Sequence, residues 1–523
     1  MRTPTRRPAA GIALGLAVAA GSAGAAHGES LADAIALAYQ TNPQILAQRA
    51  ELRALNERYI QARGAMGPTL SLSAQANQNT STLYAPKSLF NPSTQTHYGW
   101  YASSGVRVNF AQPLYSSGQL SLSVSAAEAD ILAARHGLRE QEASVLGDVI
   151  TAYADVMLNR ILLTIAEQNI ALLKDQAAEI QAKFDLKEAT LTDQSQTRAR
   201  LIAAEIGRER AASTLATSEA HYLAVVGHAP GELDVLPQLP GVPASAEQAF
   251  NAADAYNPTL LGALFSARAS HLRVGEAKAS DGFQVTLNAS YGDEPYTNYL
   301  RNQHDRSYEA TISVSRPLYT AGIHSSRIRQ SLETANRDDF KTDDIRRRVV
   351  QTVARAWAEM ASRRRVLDEL QTQLKQEESA FRGSRIEARN GLRQTIDVLN
   401  AEQEYQSTKV ALFQSFHDEY LTEMGLLLSV GLLNVDLVSP ATPAYRPEAS
   451  LMKARMEAKA PWVGPVTALD RIGAPQVSVA GLKLAPPAQG DRPVEADTMP
   501  VSPRWRDLEP FLKAPSFAPT DGR

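Results

Sequence analysis

From Gln119 to Glu188 the chain runs seventy residues without a proline, and this stretch limits the possible folds more than any other feature. Its apolar residues Val145, Val149, Tyr153, Met157, Ile161 and Ile165 recur every four positions, the spacing of one helical face. Seventy helical residues extend about 105 Å. No compact domain holds a helix of that length, so it belongs to a bundle or coiled coil. A short break at Ala189–Thr192 is followed by a return helix to about Val226, roughly half as long.

The same plan occurs twice. Pro113-Leu114-Tyr115 with Gly118 returns 204 residues later as Pro317-Leu318-Tyr319 with Gly322. Ala152-Tyr153-Ala154-Asp155 returns at the same offset as Ala356-Trp357-Ala358-Glu359, and Asp193 as Asp397. Asn42-Pro43 matches Asn257-Pro258 at an offset of 215, so the first copy carries eleven extra residues between its Asn-Pro and its Pro-Leu-Tyr. A constant register of this kind marks an internal repeat. Repeat 1 is placed at 26–240 and repeat 2 at 241–438. Each is predicted to hold an opening helix (Ser30–Ala65, Ala246–Ala279), two strands and a long helical hairpin. Two half-length helices stacked end to end match one full-length partner, which predicts the wall of a tall helical barrel. The fold class is mainly α with a small β part.

The strands are expected at about 68–78 and 98–114 in repeat 1, and at about 282–292 and 306–318 in repeat 2. In each, apolar and polar residues alternate: Leu70 and Leu72 against Ser71 and Ser73, Val285 and Leu287 against Thr286 and Asn288. Aromatics flank them (Tyr98, Trp100, Tyr101, Tyr115, Tyr291, Tyr299, Tyr319), and polar connections lie at Asn79–His97 and Glu294–Asp305. Such strands suit a transmembrane barrel with an interfacial aromatic girdle. The competing reading is a sheet over a soluble core. Known barrels begin at eight strands, and an open edge in lipid leaves backbone groups unsatisfied, so four strands require oligomerisation. A dimer would supply eight and a trimer twelve; physics alone does not choose. Pro113 and Pro317 are placed at the strand-to-helix corners, where a missing N–H is tolerated.

Residues 1–25 read as a signal peptide. Arg2, Arg6 and Arg7 precede an apolar run and an Ala23-Gly24-Ala25 cleavage pattern. No other uninterrupted apolar run of spanning length is expected. The sequence has no cysteine, which excludes disulfides, thiolate metal sites and a lipoprotein anchor. Net charge is −3, so no nucleic-acid partner is expected. The nine histidines show no metal-ligand spacing, and no nucleophile elbow, P-loop or dinucleotide fingerprint is present. No metal, cofactor or enzymatic activity is therefore predicted. Residues 439–523 are rich in proline and read as a largely disordered tail, with one helix at about Pro447–Ala458.

Over Ser30–Leu437 the chain resembles the TolC family of outer-membrane channels. The likeness is carried by Leu31–Ala38 with Asn42-Pro43, both Pro-Leu-Tyr-x-x-Gly corners, and Thr395-Ile396-Asp397-Val398-Leu399-Asn400. It implies a homotrimer, a twelve-stranded barrel in outer-membrane lipid and a periplasmic α-barrel tunnel. It also implies an entrance that opens when an inner-membrane ABC or other transporter docks with its periplasmic adaptor protein. The duct would pass secreted protein, small toxic molecules, or both; the alternative is a periplasmic coiled-coil adaptor or structural protein. At the entrance, the resemblance joins Arg393 to a neighbouring hairpin at Thr192 and Asp193 and makes Asp397 a ring of carboxylates favouring cations. Asn400 stands where the family often has a second acid, Ala388 where some relatives have a gate tyrosine, and Lys187 where repeat 2 has Gly391.

Overall fold

The computed structural model describes residues 28–84, 95–295, 304–457, 461–477 and 505–512. The first repeat contains α1 (Leu31–Thr41), α2 (Pro43–Gly64), β1 (Thr69–Tyr84), β2 (Gln95–Tyr115), α3 (Gln119–Asp185) and α4 (Leu191–Val226). The second contains α5 (Ala246–Tyr256), α6 (Pro258–Ala279), β3 (Gln284–Pro295), β4 (His304–Ser315), α7 (Ile323–Arg389) and α8 (Thr395–Val430). α9 (Val435–Val438), α10 (Pro447–Glu457), α11 (Val463–Asp470) and α12 (Trp505–Leu512) follow. The repeat extends to helix length: α3 and α7 have 67 residues each, α4 and α8 have 36 each. The expected signal segment lies outside the described residues.

Both opening helices, expected to be continuous, are broken at the Asn-Pro pair. Proline excludes the α conformation from the residue before it. Asn42 accordingly sits at φ −62°, ψ 124° and Asn257 at φ −60°, ψ 116°. Each asparagine then caps the next helix: Asn42 Oδ1 accepts from the Gln44 amide at 2.9 Å, and Asn257 Oδ1 from the Leu260 amide at 2.9 Å. The prolines occupy the first helical position, where the absent N–H costs nothing.

The main core lies where α1, α3 and α8 meet. Ile35, Val149, Tyr153, Leu412 and Phe413 are all fully buried there. Half-buried Arg364 on α7 bonds to Glu419 at 3.1 Å and to Glu423, tying α7 to α8. Contrary to the expectation from run length, α3 contains a window long and apolar enough to cross a membrane. More than half of that window is buried in the protein, because one face meets α1 and another α8.

The strands form one antiparallel sheet in the order β1-β2-β3-β4. Its register puts like with like. Leu72 faces Val108, Val108 faces Tyr291, and Tyr291 faces Tyr308; a neighbouring row joins Leu70, Phe110, Ala289 and Ala310. The alternate rows join Ser71, Asn109, Ser290 and Glu309, so one face is apolar and the other polar. β1 and β2 run further than the alternation predicts, and the expected 79–97 connection contracts to 85–94, outside the described residues. Ladder bonds are made by backbone, so polar Thr82 pairs with His97 as readily as an apolar pair would. The connection at 296–303, with Tyr299, and the side chains of Tyr98, Trp100 and Tyr101 also lie outside the described residues.

The tail departs from the expectation of disorder along 440–457 and 461–477. α10 lies on α2, and α11 lies against β2 and the start of α3. Asp470, fully buried, accepts from the amides of Ser116 (2.6 Å), Gly118 (3.3 Å) and Ser121 (3.0 Å) and from the Ser116 hydroxyl (2.6 Å). Gly118, which begins α3 in the left-handed region at φ 91°, has no side chain to cap the helix. The tail supplies the cap from 349 residues away.

Candidate functional site

The two long hairpins end in tight turns. In the first, Lys187 takes φ 63°, a left-handed conformation that its counterpart Gly391 takes at φ 75°. Lysine therefore occupies a position that favours glycine. Beyond it, Thr190 and Asp193 close a capping box: the Asp193 carboxylate accepts from the Thr190 amide (3.0 Å) and hydroxyl (2.6 Å). Thr192 is exposed at the start of α4.

In the second turn, Arg393 pairs with Glu387 at 2.7 Å and donates to Ser384 at 3.2 Å. Within the protomer it is therefore not joined to Thr192 or Asp193, whose carboxylate is engaged in its own cap. Asp397 is exposed in the first turn of α8. Asn400 accepts from Arg200 of α4 at 3.2 Å; Arg200 also reaches Gln403 at 3.3 Å. Asn400 thus links the two hairpins. Ala388 packs against the main core. Pro113 lies at a register shift between β2 and β3, just ahead of the turn into α3, and Pro317 lies two residues beyond β4. Four large apolar side chains stand exposed around the turns: Leu186, Leu191, Ile386 and Leu392.

A turn above Asp397, α8 buries polar groups that the sequence reading missed. Glu402 is 2% exposed, with one oxygen held by Gln176 of α3 at 2.7 Å and Oε1 without a partner. Burial pushes its carboxyl up to about 7, against the Gln176 bond and the Arg385 and Arg200 charges. It lines a ≈ 490 Å³ groove between α3, α4 and α8, together with Arg200, Gly207, Leu399 and Val410. Lys409, two turns on, is fully buried; its ammonium lies 3.3 Å from Gln168 Oε1 and 3.4 Å from the Leu512 carbonyl. Burial lowers it to about 8. A usable signal existed: Leu399, Glu402, Tyr405, Lys409 and Leu412 share one helical stripe, so the two charged residues fall on a buried face. Among the described residues no group of three or more His, Asp or Glu could hold a metal ion.

A sheet with one apolar face, set at one end of two long helical hairpins with tight turns at the other, defines the protomer of an outer-membrane channel. Comparison with known proteins agrees. The chain belongs to the outer membrane efflux protein family, which matches residues 34–228 and 249–422. It is 28% identical to the outer membrane efflux protein BepC of Brucella suis biovar 1, over 81% of this chain and 90% of that protein. It is 24% identical to the alkaline protease secretion protein AprF of Pseudomonas aeruginosa, over 80% and 89%. The fold matches the outer membrane protein VceC of Vibrio cholerae with a TM-score of 0.67, at 17% identity, over 77% of this chain and 96% of that one. Family and fold are those of channels: the protein is an outer-membrane exit duct with a helical periplasmic tunnel.

Proposed function

We propose that three copies close into a twelve-stranded barrel and that the resulting duct serves a tripartite export system. The observation that carries this is the sheet itself. β1 and β4 are both open edges, and Leu70, Leu72, Tyr308, Ile312 and Val314 stand exposed on its apolar rows. In lipid those edges need partners, and a neighbouring copy supplies them without new chemistry. The apolar face suits acyl chains; the Ser, Asn and Thr rows suit an aqueous lumen.

At the far end, the exposed leucines at the turns suit the tip of a helical adaptor, which would couple the duct to an inner-membrane transporter. Asp397 is proposed to ring the entrance with carboxylate, and Arg393 to bridge protomers once its Glu387 bond is exchanged for Thr192 and Asp193 of a partner. Cargo is proposed to be secreted protein, small toxic molecules, or both. The protease-secretion name of one relative supports the first and the efflux name of the other the second. No catalytic role is proposed. Outer-membrane fractionation followed by planar-bilayer recording tests the reading: a heat-modifiable trimer with discrete conductance is expected. A detergent-free soluble monomer would favour the periplasmic adaptor or structural protein instead.

A further inference from the structure

The internal repeat makes one contact inside the chain a template for a contact between chains. The first corner, at Ser117, packs on the turn that opens repeat 2. Ser117 Oγ donates to the Phe283 carbonyl at 2.9 Å, and a Cβ placed at Gly282 would collide with the Ser117 side chain. The counterpart of Ser117, 204 residues on, is Ala321, and both take positive φ, 55° and 49°. The counterpart of Gly282, 215 residues back, is Gly67. In a closed ring each Ala321 is thus carried to Gly67 of the partner subunit. The exposure pattern agrees: Leu318 is 92% and Tyr319 88% exposed in the single protomer, and among the described residues no tail segment covers this corner as α11 covers the first.

That landing place is already shared with the tail. The indole Nε1 of Trp462 lies 3.0 Å from where a Gly67 Cβ would stand. Beside it Val463 and Val466 bury Met66, a residue repeat 2 replaces with Asp281. The other end of α11 is fixed to the first corner by Asp470, and Tyr115 donates its hydroxyl to the Ile472 carbonyl at 2.8 Å. α11 therefore reaches from the corner of its own subunit to the edge that faces the next.

We propose that the C-terminal segment 461–477 is a subunit-interface element, with Trp462 packing against the partner subunit's Ala321 and Tyr319. It rests on the trimeric reading, and the test separates the two. The chain has no native cysteine, so introduced pairs have no background. A Trp462→Cys, Ala321→Cys chain treated with a short bis-maleimide in outer membranes is expected to give covalent dimer and trimer, and each single variant monomer only. A second pair, Ser73→Cys with Ser315→Cys, reports ring closure alone. Ala111 pairs with Asn288 inside the chain, and the two offsets carry that pair to Ser315 and the partner subunit's Ser73. Crosslinking of the strand pair without the tail pair overturns the inference and leaves the trimer standing. If neither pair crosslinks, the ring fails and the inference with it. Trp462→Ala provides a readout that needs no cysteine: the temperature at which the trimer dissociates in detergent is expected to fall by several degrees. An unchanged temperature would overturn the proposal.

Discussion

Glu402 shows how one burial event sets a pH response. Its folded carboxyl titrates near 7 against an ordinary value of 4.5, because desolvation outweighs the Gln176 bond. A carboxylate raised in this way binds its proton more tightly folded than unfolded. The associated stability is present below about pH 4.5 and is lost as pH rises through 7. Glu402→Gln keeps the shape and removes the charge. We expect thermal unfolding at pH 8 to show a gain on the order of 1–3 kcal/mol, with no gain at pH 4. Asp397 is the opposite case, an exposed acid that we propose to lie at the entrance. Asp397→Ala is expected to raise resting conductance and lower cation preference in bilayer recordings; an unchanged current would remove it from the entrance. The sequence made Asp397, Asp193 and Arg393 visible through motif position. It did not reveal that Asp193 is spent on its own helix cap or that Arg393 turns back to Glu387, because both depend on side-chain directions at a tight turn.

At the scale of elements, the 67-residue helix α3 starts without a capping side chain of its own and borrows one from α11. Removing that acceptor strands buried amides, which costs about 1–3 kcal/mol and more where several share one carboxylate. Asp470→Ala should therefore lower the melting temperature and free the first corner, with faster amide exchange at Ser116–Ser121 as the direct check. Among the described residues no such strap covers the start of α7, and Leu318 and Tyr319 at its corner are exposed. The lengths of the long helices, the hairpin order and the approximate strand positions were legible because each rests on periodicity within one segment. The strap was not. Its contacts join residues about 350 apart through a carboxylate and backbone amides, and such pairing leaves no periodic trace.

Seen whole, the molecule is a half-finished surface. Among the described residues no core covers the apolar rows of the sheet, and we propose that lipid does. Ile312→Lys would place an ammonium on those rows, at a cost of about 2–4 kcal/mol if the site lies near mid-bilayer. The variant should assemble poorly in the outer membrane while its helical signal by circular dichroism is retained. Normal assembly would place this face away from lipid.

What the sequence alone determined is local and repetitive: a chain doubled at an offset of 204, helices too long for a compact domain, and strands with two unlike faces. Tertiary structure decided which polar residues are sealed inside, where the tail runs and which corner stays bare. The division has a physical cause. Periodicity is imposed by backbone geometry one residue at a time, whereas burial and capping between distant segments depend on which surfaces meet after the chain has turned back on itself.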